Sequence, residues 1–185
     1  MSTSTKKMLQ AAAGSAGGDA TLYVEQVFST YLYTGNDSTQ TITNEIDLAG
    51  EGGMVWFSAR DDAGRDRVLS DTERGVTKVI TSNTSEAEST VASAVTAFNS
   101  NGFSIGSYGN INNNNKLEAS WTFRKTPGFF DVQTFTQSGT SGNQTIPHDL
   151  EAVPGFIVTK NRTRSQGWCC YHSSLGTTKK LFLDS

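Results

Sequence analysis

An all-β fold of jelly-roll-like two-sheet sandwich modules in tandem is what this sequence predicts, preceded by a short extended or helical N-terminal anchor segment. Three observations predict it. Of the 185 residues, 21 are Ser, 24 Thr, 12 Asn and 18 Gly, while charged residues make up only 18%. Such a composition suits short strands and polar turns rather than a coiled coil or a charge-rich disordered tail. Period-two alternation recurs from Tyr23 onward without long helical blocks. Finally, one pattern of strand faces and turn residues occurs twice, about 102 residues apart. The chain divides accordingly into a segment 1–22, a first β module 23–127 and the start of a second, incomplete β module over 128–185.

Within the first segment, Thr5 can cap a short helix over Lys6–Ala13 that Gly14 ends, and Gly14-Ser15-Ala16-Gly17-Gly18 reads as a flexible joint. A helix this short needs a docking surface or stays disordered. Met54-Val55-Trp56-Phe57 and Phe156-Ile157-Val158 are apolar at consecutive positions, which predicts strands covered on both faces. Residues 82–97 are ambiguous. Ser85 and Glu88 have capping-box spacing, and Val91, Val95 and Phe98 have helical spacing, but Ser and Thr crowd the stretch. A short helix or an irregular crossing on the sandwich surface is expected there. Val95–Phe98 and Phe103–Ile105 read as a hairpin with the four-residue loop Asn99–Gly102. Asn110–Asn115 reads as a surface loop. The clearest strand is Leu117–Arg124: Leu117, Ala119, Trp121 and Phe123 share the face expected to be buried, and Glu118, Ser120, Thr122 and Arg124 share the other.

The repeat aligns Phe28 with Phe130, Tyr33-Thr34 with Phe135-Thr136, and Gln40-Thr41-Ile42 with Gln144-Thr145-Ile146. Asp47-Leu48 then matches Asp149-Leu150, Gly53-Met54-Val55 matches Gly155-Phe156-Ile157, and Gly75, Lys78 and Ile80 match Gly176, Lys179 and Leu181. Turn residues and strand faces matching together point to one folding unit used twice. Residues 81–123 of the first copy have no counterpart in the second. The expectation is that the 185 residues are one part of a longer chain that supplies the missing strands, or that a neighbouring subunit or another protein covers the open edge.

The search for chemistry is short. A net charge of -3 leaves no basic excess to neutralise phosphates, so nucleic acid is not an expected partner. No apolar run approaches a membrane span, and Gln10 interrupts the short apolar stretch near the N-terminus, so neither membrane insertion nor a secretory signal is expected. His148 and His172 lack metal-site spacing, no nucleophile elbow is present, and the Gly50–Gly53 turn lacks the following helix of a phosphate cradle. No enzyme, metal or cofactor is expected. Asp61–Asp66 reads as a solvated hairpin tip, its acids offset by Arg60, Arg65 and Arg67. Adjacent Cys169 and Cys170 read as two thiols on opposite strand faces. Trp56, Trp121 and Trp168 are the candidates for stacking on a sugar, although core packing is the better reading for Trp56 and Trp121.

Three stretches carry a resemblance: the opening Met1–Gly14, Ser120-Trp121-Thr122-Phe123-Arg124-Lys125-Thr126-Pro127-Gly128-Phe129-Phe130-Asp131-Val132, and Tyr171–Lys179. The chain resembles tail-fibre-like virion structural proteins of tailed bacteriophages, of the marine cyanophage type. The resemblance implies a non-enzymatic, tail-proximal part of a tail fibre or appendage that attaches to the tail and supports host recognition. It implies residence in the virion tail after assembly in the bacterial cytoplasm, a homotrimer, and a tail hub or adaptor protein as partner. Lys6, Met8, Leu9 and Ala12 are the expected tail-docking residues. The alternative is a carbohydrate-binding module contacting host surface glycans.

Overall fold

A computed structural model of the chain describes residues 22–139 and 142–184, and these are mostly β, in antiparallel sheets. The expected docking residues Lys6, Met8, Leu9 and Ala12 lie outside the described residues. One helical turn, α1 (Val24–Val27), leads into β1 (Phe28–Thr34), β2 (Gln40–Thr43), β3 (Gly53–Ala59), β4 (Val68–Asp71), β5 (Lys78–Thr81), β6 (Ser89–Thr90), β7 (Val95–Asn99) and β8 (Gly102–Ile105). A second helical turn, α2 (Gly109–Asn112), precedes β9 (Leu117–Arg124), and β10 (Phe156–Thr159), β11 (Cys169–His172) and β12 (Leu181–Phe182) complete the described chain.

Two sheets face each other across the main core. One has the order β1-β9-β3-β4-β5-β6 and the other β2-β8-β7. Val55, Phe57, Val68 and Val79 from the first meet Ile42, Val95, Phe103 and Ile105 from the second. The Phe57 and Phe103 rings meet edge to face at 5.3 Å. Each such fully buried side chain contributes about 1.5–3 kcal/mol. Along β3 the alternation is strict: Val55 and Phe57 enter this core and Ala59 is buried on the same face, while Met54, Trp56 and Ser58 lie half-buried on the outer face. The strand is thus covered on both faces as expected, fully on the inner side and in part on the outer, where Met54 and Trp56 pack against Leu69, Ile80 and Trp168.

Strand β9 largely exchanges the expected faces. Glu118, Ser120 and Thr122 are fully buried, whereas on the face expected to be buried only Ala119 is buried, Leu117 is exposed, and Trp121 and Phe123 are partly buried. The cause is the register. Ser120 lies between Tyr31 and Phe57, and Thr122 lies beside Val55, so bulky neighbours roof over small residues. The Thr122 hydroxyl oxygen accepts a hydrogen bond from the Asn44 amide at 2.8 Å. On the outer face Trp121 meets Trp56 edge-on at 6.4 Å, and Phe123 packs with Phe28, Phe129 and Phe130. The apolar face of β9 thus finds aromatic neighbours without entering the main core.

Other expectations change for local reasons. Of the two expectations for residues 82–97, the irregular crossing is the one found and the helix is not: β6 pairs with β5, a turn brings Val91 beside Ala94, and β7 begins at Val95. The helical spacing of Val91 and Val95 reflects that turn, which directs both toward one core. The β7–β8 hairpin forms, but Asn99 pairs with Gly102, leaving a loop of Ser100 and Asn101 instead of four residues. Asn110–Asn115 is not merely a surface loop, because Ile111 and Asn112 are fully buried. The Asn112 amide donates to the Ser38 and Gly106 carbonyls at 2.6 and 2.8 Å. Such complete pairing is what a buried amide requires. At 61–66 the tip is solvated only in part: Asp61, Ala63 and Gly64 are exposed, but Arg65 is buried and Asp66 accepts hydrogen bonds from Asn83 and Asn110.

The repeated pattern reappears in the strand pairing. In β3–β4–β5 the partners are Met54 with Asp71, Val55 with Ser70, Trp56 with Leu69, Val68 with Thr81 and Leu69 with Ile80. In β10–β11–β12 they are Phe156 with His172, Ile157 with Tyr171, Val158 with Cys170, Cys169 with Phe182 and Cys170 with Leu181. All five pairs occupy corresponding positions. Strand β10 departs from the expectation of cover on both faces, since Phe156, Ile157, Val158 and Thr159 are all exposed. It is an edge strand, and no second sheet lies over it among the described residues.

Candidate functional site

The outer face of the six-stranded sheet carries an apolar groove of about 370 Å³ lined by Trp56, Ser58, Arg67, Trp121 and Phe123. Antiparallel pairing of β3 with β9 sets Trp56 directly opposite Trp121. The Trp56 indole N–H donates to the Ser82 hydroxyl at 3.1 Å, which fixes the ring. Arg67 enters from the segment before β4 and donates to the Ala63 carbonyl at 3.3 Å. A half-exposed aromatic wall with a hydroxyl and a guanidinium beside it can stack on a sugar ring and bond its substituents. Trp56 and Trp121, expected in the core, are both partly exposed on the groove, with Trp56 also packed against Leu69, Ile80 and Trp168. Trp168 is the buried one: its indole N–H donates to the Thr81 carbonyl at 2.8 Å, and its ring packs on Leu69 and Ile80.

A second cleft, of about 820 Å³, lies where Lys125 meets residues 126–154. Two of its acids, Asp131 and Asp149, are engaged by Lys125 together with the neighbouring Glu73. The Lys125 ammonium lies 3.0 Å from Glu73, 3.3 Å from Asp131 and 3.8 Å from Asp149. Burial tends to lower the Lys125 pKa, but Glu73 and Asp131 outweigh it and hold it above its ordinary value. Burial likewise tends to raise Asp131, but the Asp149 N–H, Gln133 and Lys125 hold its carboxyl low. This is an ion-pair network tying β9 to the following segment. No group of His, Cys, Asp and Glu among the described residues is arranged to hold a metal ion.

A third cluster joins residues 160–168 to residues 81–88. Glu88 accepts from the Arg162 guanidinium at 2.9 and 3.0 Å, a two-pronged pair. The Glu88 N–H donates to the Arg162 carbonyl, and the Gln166 N–H donates to the Ser85 carbonyl. The Lys160 ammonium donates to the Ser85 carbonyl at 3.0 Å. With Trp168 seated on β4 and β5, these contacts fix the β10–β12 meander to the larger sheet. The capping-box spacing of Ser85 and Glu88 marks this junction instead of a helix start.

The remaining candidates have structural surroundings. His148 accepts from the Leu150 N–H, and His172 accepts from the Ser174 N–H to cap a short helical turn. Cys169 and Cys170 are free thiols on opposite faces of β11, as expected. Burial pushes the Cys170 thiol up, away from the reactive thiolate form. No helix among the described residues is long and apolar enough to cross a membrane.

The architecture defines the class: an all-β protein of antiparallel sheets with an aromatic groove on one outer face. A family model matches residues 24–185, and the chain belongs to that family, described as a domain of unknown function, DUF7483. No curated protein and no solved structure matches it.

Proposed function

We propose that the chain is a non-enzymatic structural component of a phage tail fibre or tail appendage, situated in its tail-proximal part. Its β units, jelly-roll-like sandwich modules in tandem, act as spacers toward a distal receptor-binding end. The observation that carries this reading is the pair-for-pair recurrence of the β3–β4–β5 registers in β10–β11–β12. Serial reuse of one unit builds length, which is what a fibre needs. The sequence resemblance supplies the setting: the virion tail, a tail hub or adaptor as partner for Lys6, Met8, Leu9 and Ala12, and a homotrimer. Deletion of residues 2–19 tests it. The truncated protein stays folded and fails to assemble onto tails; normal assembly contradicts the docking assignment.

A second reading rests on the Trp56–Trp121 groove: a carbohydrate-binding module that contacts host surface glycans. Retention on host polysaccharide that a Trp121→Ala variant of unchanged fold loses supports it. Cleavage of that polysaccharide contradicts both readings.

A further inference from the structure

Val55 and Ile157 occupy corresponding positions in the repeat, yet Val55 is 0% exposed and Ile157 is 41% exposed. The same contrast separates Tyr33 at 8% from Phe135 at 53%, and Ile80 at 4% from Leu181 at 46%. The first unit shows what makes the difference. Strand β9 pairs with both β1 and β3, and β8 pairs with β2, while the β2-β8-β7 sheet roofs the inner face. Among the described residues, the second unit has β10 paired only to β11. The counterparts of β1 and β2, around Phe135 and Gln144–Ile146, form no strand. In the first unit those strands pair with β9 and β8, and the described residues of the second unit include no block equivalent to β7–β9. An apolar face and a strand edge left in this state are a template for pairing.

We propose that the second unit is an acceptor for a polypeptide block patterned like residues 91–124. Its final strand adds antiparallel to β10 in the register that β9 takes on β3. A residue corresponding to Phe123 then sits opposite Phe156, and one corresponding to Thr122 opposite Ile157. The apolar hairpin of the block covers Ile157 and Phe135. One difference specifies the occupant further. Three residues before β4 stands Arg65, which pairs with Glu118 at 2.7 Å; three residues before β11 stands Gln166. Without that guanidinium, a carboxylate at the place of Glu118 is a buried charge lacking a partner. The block the second unit accepts therefore carries an uncharged residue there.

The test extends the full chain with a second copy of residues 85–127 appended after Ser185, the added copy carrying Glu118→Gln. A chain with the same added residues in scrambled order is the comparison. Hydrogen exchange at residues 156–159 and binding of an apolar fluorescent dye are read. The patterned extension slows exchange there by about tenfold or more and lowers dye binding, and the scrambled one does neither. Unchanged exchange, or equal slowing by both extensions, overturns the proposal. Should the extended chain be insoluble, a free peptide of residues 117–124 with the same substitution is added to the full chain. Protection of 156–159 by the peptide supports the proposal, and no protection overturns it.

Discussion

The Glu118 carboxylate lies 2.7 Å from the Arg65 guanidinium inside the protein, on the face of β9 that alternation assigns to solvent. Glu118 is 0% exposed and Arg65 8%. Arg65 reaches this place from the β3–β4 connection and also bonds the Gly109 carbonyl, so it ties that loop to α2. Ion pairs in such surroundings gain little over an apolar pair, but breaking one leaves a buried charge.

Removing the acid is accordingly expensive. Glu118→Ala is expected to cost about 3–5 kcal/mol, because Arg65 loses its partner. Trp121→Ala, on the half-exposed outer face, is expected to cost less, about 1–3 kcal/mol. Urea unfolding of both variants checks the order. A larger loss for Trp121→Ala would restore the face assignment that alternation suggests.

The same carboxyl sets a pH dependence. Burial holds Glu118 above its ordinary value of 4.5, against the opposing pull of Arg65. From that ordinary value up to its raised one, the folded state binds more protons than the unfolded state. Stability therefore falls as pH rises through this window. Glu88 acts in the opposite sense. Burial tends to raise it, but Arg162, Arg74 and Lys78 hold it below its ordinary value. Its contribution is present above the ordinary value and is lost as pH falls through the lowered one. Glu118→Gln should flatten the decline above about pH 4.5 and leave the acid limb in place. Stability curves across pH for the two proteins measure this; an unchanged decline would show that Glu118 is not its source.

The hairpin turn gives a steric prediction. Gly102 has φ +146°, and a Cβ there would sit 2.0 Å from the Ile42 carbonyl oxygen. Gly102→Ala is expected to cost at least about 1–3 kcal/mol, since the rigid backbone of β2 must give way. At Gly109 a Cβ meets nothing within 4 Å. Gly109→Ala should stay within about 0.5 kcal/mol of the parent. Thermal unfolding of the two variants distinguishes them, and equal losses would contradict the β2–β8 pairing.

Trp168 anchors the smaller meander. Trp168→Ala is expected to cost about 3–5 kcal/mol, from a lost aromatic and an unpaired Thr81 carbonyl. Limited proteolysis should then cut residues 155–184 before residues 28–124. Cleavage at an unchanged rate would mean that the meander is held by the Glu88–Arg162 junction alone.

Much of this was legible along the chain, and the failures share one cause. Alternation identifies β9 as a strand, yet it cannot say which face meets the core, because Tyr31, Phe57 and Arg65 come from elsewhere in the sequence. Ser85 and Glu88 carry a true signal of an organised junction, but their partners, Ser165, Gln166 and Arg162, lie some 75–80 residues away. The repeat was readable because its turns and strand faces are local. Trp56 and Trp121 show the limit again: one sits in an apolar run and the other on the apolar side of an alternating strand, and only the β3–β9 register places the two side by side on an outer face.

The central claim is that the chain serves in a phage tail fibre or appendage. Electron microscopy of intact virions decorated with an antibody against residues 22–184 tests it most directly. The account predicts label near the attachment of fibres to the tail. Label confined to the capsid, or virions that carry none of the protein, would contradict it.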